Sequence, residues 1–123
     1  MPIVDSYLAR YRNLNSEVMS KYQKLTNALS EVDREVSAIY HEIEKLDLTE
    51  TCGHAAAVML QQVLHRRRVI KGELAQLLPL FRALNGQCSK VIQKHREQAA
   101  KNDEIRRSLN VTLTIEDIGG IRL

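Results

Sequence analysis

The densest set of functional side chains in this chain is His65-Arg66-Arg67-Arg68, followed by Lys71. Three guanidiniums and an ammonium within two helical turns have the chemistry to hold phosphates. The more economical reading is internal. If the chain doubles back before this point, the cluster lies beside Glu31, Asp33 and Glu35. The arginine stems would then pack along the helices while their heads reach those carboxylates. Such exposed pairs add little stability, but they fix register and the antiparallel sense.

A second basic set is Arg82, Lys90, Lys94, Arg96, Lys101, Arg106 and Arg107. It faces no acidic stretch, because residues 1–17 contribute only Asp5 and Glu17. This makes it the better candidate for nucleic-acid contact. No aromatic residues are interleaved for base stacking, and no reader motif is present. The expectation is therefore limited to the phosphate backbone, with a solvated charged face as the simpler alternative.

Cys52, His54 and His41 supply at most three ligands at poor spacing, so no metal site is expected. Cys88 reads as a small buried hydrophobe and His95 as a residue at the end of an apolar stripe. The chain has no glycine-rich phosphate loop, no Gly-x-Ser-x-Gly and no His-Glu-x-x-His. No enzyme, cofactor or small-molecule substrate is expected.

What must position these side chains is helix. The chain has 123 residues, one Phe, no Trp and two Pro, and its apolar class is mostly aliphatic. No apolar run approaches the roughly 20 residues of a membrane span. The start, Met1-Pro2-Ile3-Val4-Asp5, lacks the form of a signal peptide, and the two cysteines match no zinc spacing. The expected location is the cytoplasm. Residues 1–50 carry six Lys/Arg against nine Asp/Glu, and residues 51–123 carry twelve against six.

From Val4 to Leu46 the apolar residues recur in steps of three or four, with two successive fours at Leu14, Val18 and Tyr22. From Ala56 to His95 the steps alternate three and four through Leu60, Val63, Arg67, Ile70, Leu74, Leu77, Phe81, Leu84, Cys88 and Val91. These are heptad stripes. Taken in opposite directions they pair at residue numbers that add to 99, for instance Tyr22 with Leu77 and Val18 with Phe81; Leu14 with Leu84 misses by one. Two helices joined by the connector Leu48–Gly53 pair in this way.

The spacing thus predicts an all-α chain, a long antiparallel helical hairpin kinked near Pro79, over residues 1–109. The alternative is a three-helix bundle broken at Asn85-Gly86, since Asn and Gly stop helices. Residues 110–123 change period. Val111, Leu113 and Ile115 alternate with threonines before Ile118-Gly119-Gly120, which predicts a β tail seeking a partner strand.

One hairpin leaves apolar residues off the main stripe: Leu64, Leu78, Leu80 and Ile92 on the second helix, with the tail residues Val111, Leu113, Ile115 and Ile118. A homodimer packing as a four-helix bundle would cover them. The expected function is non-enzymatic binding of a protein partner, as an adaptor, assembly factor or inhibitor. The alternative is a nucleic-acid-binding accessory protein using residues 82–107.

Overall fold

The computed structural model describes residues 2–47 and 52–119, the Cys52 side chain excepted. Two long helices pack as a hairpin: α1, Val4–Lys45, and α2, Cys52–Ser108. A single 3-10 turn, Ile115–Asp117, follows. Most of the connector, residues 48–51, lies outside the described residues.

α2 runs unbroken through Gly72, Pro79, Asn85 and Gly86, so the three-helix alternative does not form. The local costs are about 1 kcal/mol for each glycine and about 3 kcal/mol for the proline. The apolar stripe continues on both sides of these residues, so breaking the helix would forfeit the packing beyond it. Tertiary contact therefore outweighs propensity.

The chain divides into two compact units, Val18–Phe81 and a second made of Met1–Glu17 with Arg82–Leu123. In the first, Val18, Val32 and Val63 form the buried core. Tyr22 stacks on Phe81 with ring centroids 4.1 Å apart and planes 11° from parallel. The constant-sum rule puts Tyr22 level with Leu77, one turn away. The difference follows from side-chain direction. Every Cβ leans toward the N-terminus of its own helix, so on antiparallel helices the two rings lean toward each other. Long side chains therefore meet beyond the level pair. The ion pairs Arg66–Glu35 and Arg67–Asp33 deviate in the same direction.

In the second unit, Leu84 and Cys88 are the buried residues. Two positions differ from the apolar pattern. Asn15 is half-buried while Leu14 is 43% exposed. With Asn15 as the inward residue, α1 alternates three and four from Leu8 to Leu46, and no stutter occurs there. Asn15 with Leu84 also restores the sum of 99. Helical phase, rather than residue type, decides which side chain turns inward. On α2 the half-buried residue is Ile92, not Val91, which is 41% exposed. The steps Leu84–Cys88–Ile92 are two successive fours, so the stutter lies in α2.

The β tail is not seen in the single chain: no strand occurs among the described residues, and Val111 to Thr114 leads into the 3-10 turn. An isolated ribbon of this length is marginal in water, and local side-chain hydrogen bonds win instead. The end of the expected ribbon, residues 120–123, lies outside the described residues.

Candidate interaction surfaces

Two members of the arginine cluster pair across the hairpin. Arg66 Nη2 donates to Glu35 Oε2 at 2.7 Å, and Arg67 Nε donates to Asp33 Oδ1 at 2.7 Å. Arg67 sits at a stripe position with its stem half-covered, which places its head at the flank where Asp33 stands. Both pairs remain substantially exposed, so each contributes at most about 1 kcal/mol. Their value is geometric: they tie one register of α2 to α1. His65, Arg68 and Lys71 are exposed.

The C-terminal segment is built as a strap across the end of α2. Asn110 adopts a left-handed φ of 54°, a conformation Asn tolerates better than most residues. Val111 N–H then donates to Arg106 O at 2.9 Å, and Asn110 N–H donates to Arg107 O at 3.3 Å. This is a Schellman closure, which satisfies the last carbonyls of the helix. Arg106 holds the reversed chain: its Nε donates to Val111 O at 3.4 Å, and its Nη2 donates to Leu113 O. A concavity of about 380 Å³ lined by Pro2, Val4, Asn102, Arg106 and Ile115 lies where the strap returns toward the start of α1.

The strap ends in a cap that the chain announces as Thr114-Ile115-Glu116-Asp117. Asp117 Oδ2 accepts from Thr114 N–H at 2.9 Å and from the Thr114 hydroxyl at 3.0 Å. A Thr followed three residues later by an acid is a capping signature, so this signal was present in the sequence beneath the two-residue alternation. The Thr114 backbone N–H, and then its hydroxyl, hold the Asp117 carboxyl below the usual carboxylate range. A lowered folded value means the bond stabilises the turn above the ordinary carboxylate pKa and is lost as pH falls through the folded one. The Thr114 amide resonance is accordingly expected to keep its hydrogen-bonded shift at neutral pH and to lose it only in acid below the ordinary carboxylate range. Asp117→Asn is expected to remove most of this titration. An amide shift that ignores acid would exclude the cap.

The remaining candidate residues separate by exposure. Leu64, Leu80, Val111, Leu113 and Ile118 are exposed, whereas Leu78, Ile92 and Ile115 are half-buried. Of the basic set, Arg82, Lys90, Lys94, Arg96, Lys101 and Arg107 are exposed. Arg106 is half-buried and committed to the strap. Arg107 Nε donates to Asp103 O at 3.4 Å, within its own helix. A concavity of about 700 Å³ between these two arginines, Asn110 and Thr112 is open to solvent.

Among the described residues, no three His, Cys, Asp or Glu side chains gather to hold a metal ion. His54 and His41 are exposed, and His41 Nδ1 lies 3.7 Å from Glu44 on its own helix. Cys88 is a buried thiol. No helix among the described residues is long and apolar enough to cross a membrane. No family model, no curated protein and no solved structure matches the chain. Function must be argued from these surfaces alone.

Proposed function

We propose that this chain is a non-enzymatic interaction protein, working as a homodimer and binding a protein partner through its helical faces and its C-terminal strap. An adaptor, assembly factor or inhibitor acts in this way, and a cytoplasmic location belongs to the same reading. One observation carries it: large apolar side chains stand exposed on both helices and on the strap, while among the described residues only Val18, Val32, Val63, Leu84 and Cys88 are buried. A chain that spends so much apolar surface on solvent is suited to covering it with another macromolecule.

Deleting residues 110–123 is expected to weaken capture of the partner severalfold while the far-UV signal of the helices stays within a few percent, because the strap contributes little helix. Affinity capture from the native host with full-length and shortened chains makes the comparison. Equal capture by both would remove the strap from the interface.

The second reading is a nucleic-acid-binding accessory protein. It is supported by the exposed run Lys90, Lys94, Arg96, Lys101 and Arg107, which forms no ion pair among the described residues. Nuclease treatment before capture separates the two readings. Charge reversal should be confined to Lys94, Lys101 and Arg107, since changing Arg106 would also release the strap.

A further inference from the structure

We propose that a second copy of this chain docks antiparallel on one flank of the Val18–Phe81 hairpin, the flank that carries Tyr40, Leu64 and Leu78. The proposal rests on the protein-interaction reading above and names both the partner and the surface. Among the described residues of Val18–Phe81 only Val18, Val32 and Val63 are buried and none of them fully, so the seam leaves apolar flanks that a second copy can cover.

On each helix the seam leaves one neighbouring position on either side, recurring every seven residues. One flank carries Met19, Tyr40, Ala57, Leu64 and Leu78, and its charges within the two helices are Asp33 and Lys71. Tyr40 is 50% exposed and Leu64 38%. The opposite flank exposes Met59 and Leu80 but interleaves them with five charges, Lys21, Glu35, Glu42, Arg66 and Glu73. A second hairpin gains apolar burial on the first flank and meets desolvation costs on the other.

Charge fixes the orientation. Lys71 forms no ion pair among the described residues. Asp33 holds Arg67 through one oxygen, and its side chain stays 48% exposed. By the constant-sum pairing, Lys71 stands level with residue 28, a turn and a half from the level of Asp33. A two-fold axis perpendicular to the helices, midway between those levels, brings each Lys71 level with the second copy's Asp33 on the diagonal helix, within reach of the long lysine side chain. The same axis sets Tyr40 level with the second copy's Leu78. A two-fold axis parallel to the helices would instead set Lys71 level with Lys71, two like charges in a desolvating interface.

Sedimentation equilibrium of the full chain at micromolar concentration tests this. The expected mass is twice 14.1 kDa. Tyr40→Lys with Leu64→Lys is expected to return it to the monomer with helicity retained, and Leu80→Lys on the opposite flank to leave the dimer intact. Lys71→Glu is expected to weaken dimerisation at least tenfold, by setting like charges across the interface. In a mixture of isotopically light and heavy chains, a zero-length carbodiimide is expected to join Lys71 to the second copy's Asp33. A monomer at every concentration, or a dimer indifferent to Tyr40→Lys with Leu64→Lys, overturns the proposal. A monomer that still captures a protein partner sinks the dimer and leaves the interaction reading standing. A dimer that captures nothing does the reverse.

Discussion

Pro79→Ala is expected to stabilise this protein by about 2 kcal/mol and to raise its melting temperature by roughly 8 °C. Pro79 lies inside α2 with its ring exposed, so the substitution removes no buried contact. The ring denies α2 one backbone hydrogen bond and presses on the carbonyl of Ala75, a cost of about 3 kcal/mol in a helix interior. Against this, proline also restrains the unfolded chain, and losing that restraint gives back up to about 1 kcal/mol. The difference leaves the gain near 2 kcal/mol, and a domain of this size shifts by roughly 4 °C per kcal/mol. Thermal unfolding at one fixed protein concentration is the measurement, because association would make the midpoint concentration-dependent. A lower midpoint for Pro79→Ala would mean that the seam depends on a local geometry imposed by the ring.

Leu84→Ala is expected to cost about 2–3 kcal/mol, while Leu14→Ala costs less than about 1 kcal/mol. Leu84 is 7% exposed and shares the buried part of its unit with Cys88, so the methyls it loses are not replaced by neighbours. Truncating a buried Leu removes transfer free energy and leaves a cavity, at about 2–5 kcal/mol. The lower end applies to a two-helix seam, where the gap opens readily to water. Leu14 is 43% exposed and has much less to lose. The pair of variants tests register as well as stability. On the apolar pattern alone Leu14 and Leu84 are seam residues of equal standing. In the structure Asn15 takes the inward position, so the two variants should separate clearly in urea unfolding. Equal losses would return Leu14 to the seam and restore the stutter in α1.

These two cases mark where the chain was legible. The heptad rhythm was strong enough to carry α2 through Gly72, Pro79 and Gly86, although each of those residues opposes helix locally. The pairing of the arginine cluster with Asp33 and Glu35 was legible too, because it depends only on the antiparallel register. Asn15 and Ile92 were not. At each of those places an apolar residue stands next to the inward position, and residue type misleads by one step. The strap's turn was hidden for a related reason. Val111, Leu113 and Ile115 alternate like a strand, but a strand needs a neighbour. The hydrogen bonds nearest to hand came from Arg106 and Asp117.

The sequence alone determined the class of this protein. Period and phase along one chain dictate two helices, and the mirror relation of the two stripes dictates their antiparallel pairing. Only tertiary structure decided which cations remain available. His65-Arg66-Arg67-Arg68 is the most conspicuous cluster, yet Arg66 and Arg67 are held by carboxylates of α1. Arg106 is withdrawn into the strap, whereas Lys90, Lys94 and Lys101 stay in solvent. Charge is a property of residue type and can be read from the chain. Whether a charge is satisfied depends on what lies within about 3 Å of it, and that distance is set by packing between residues far apart in sequence.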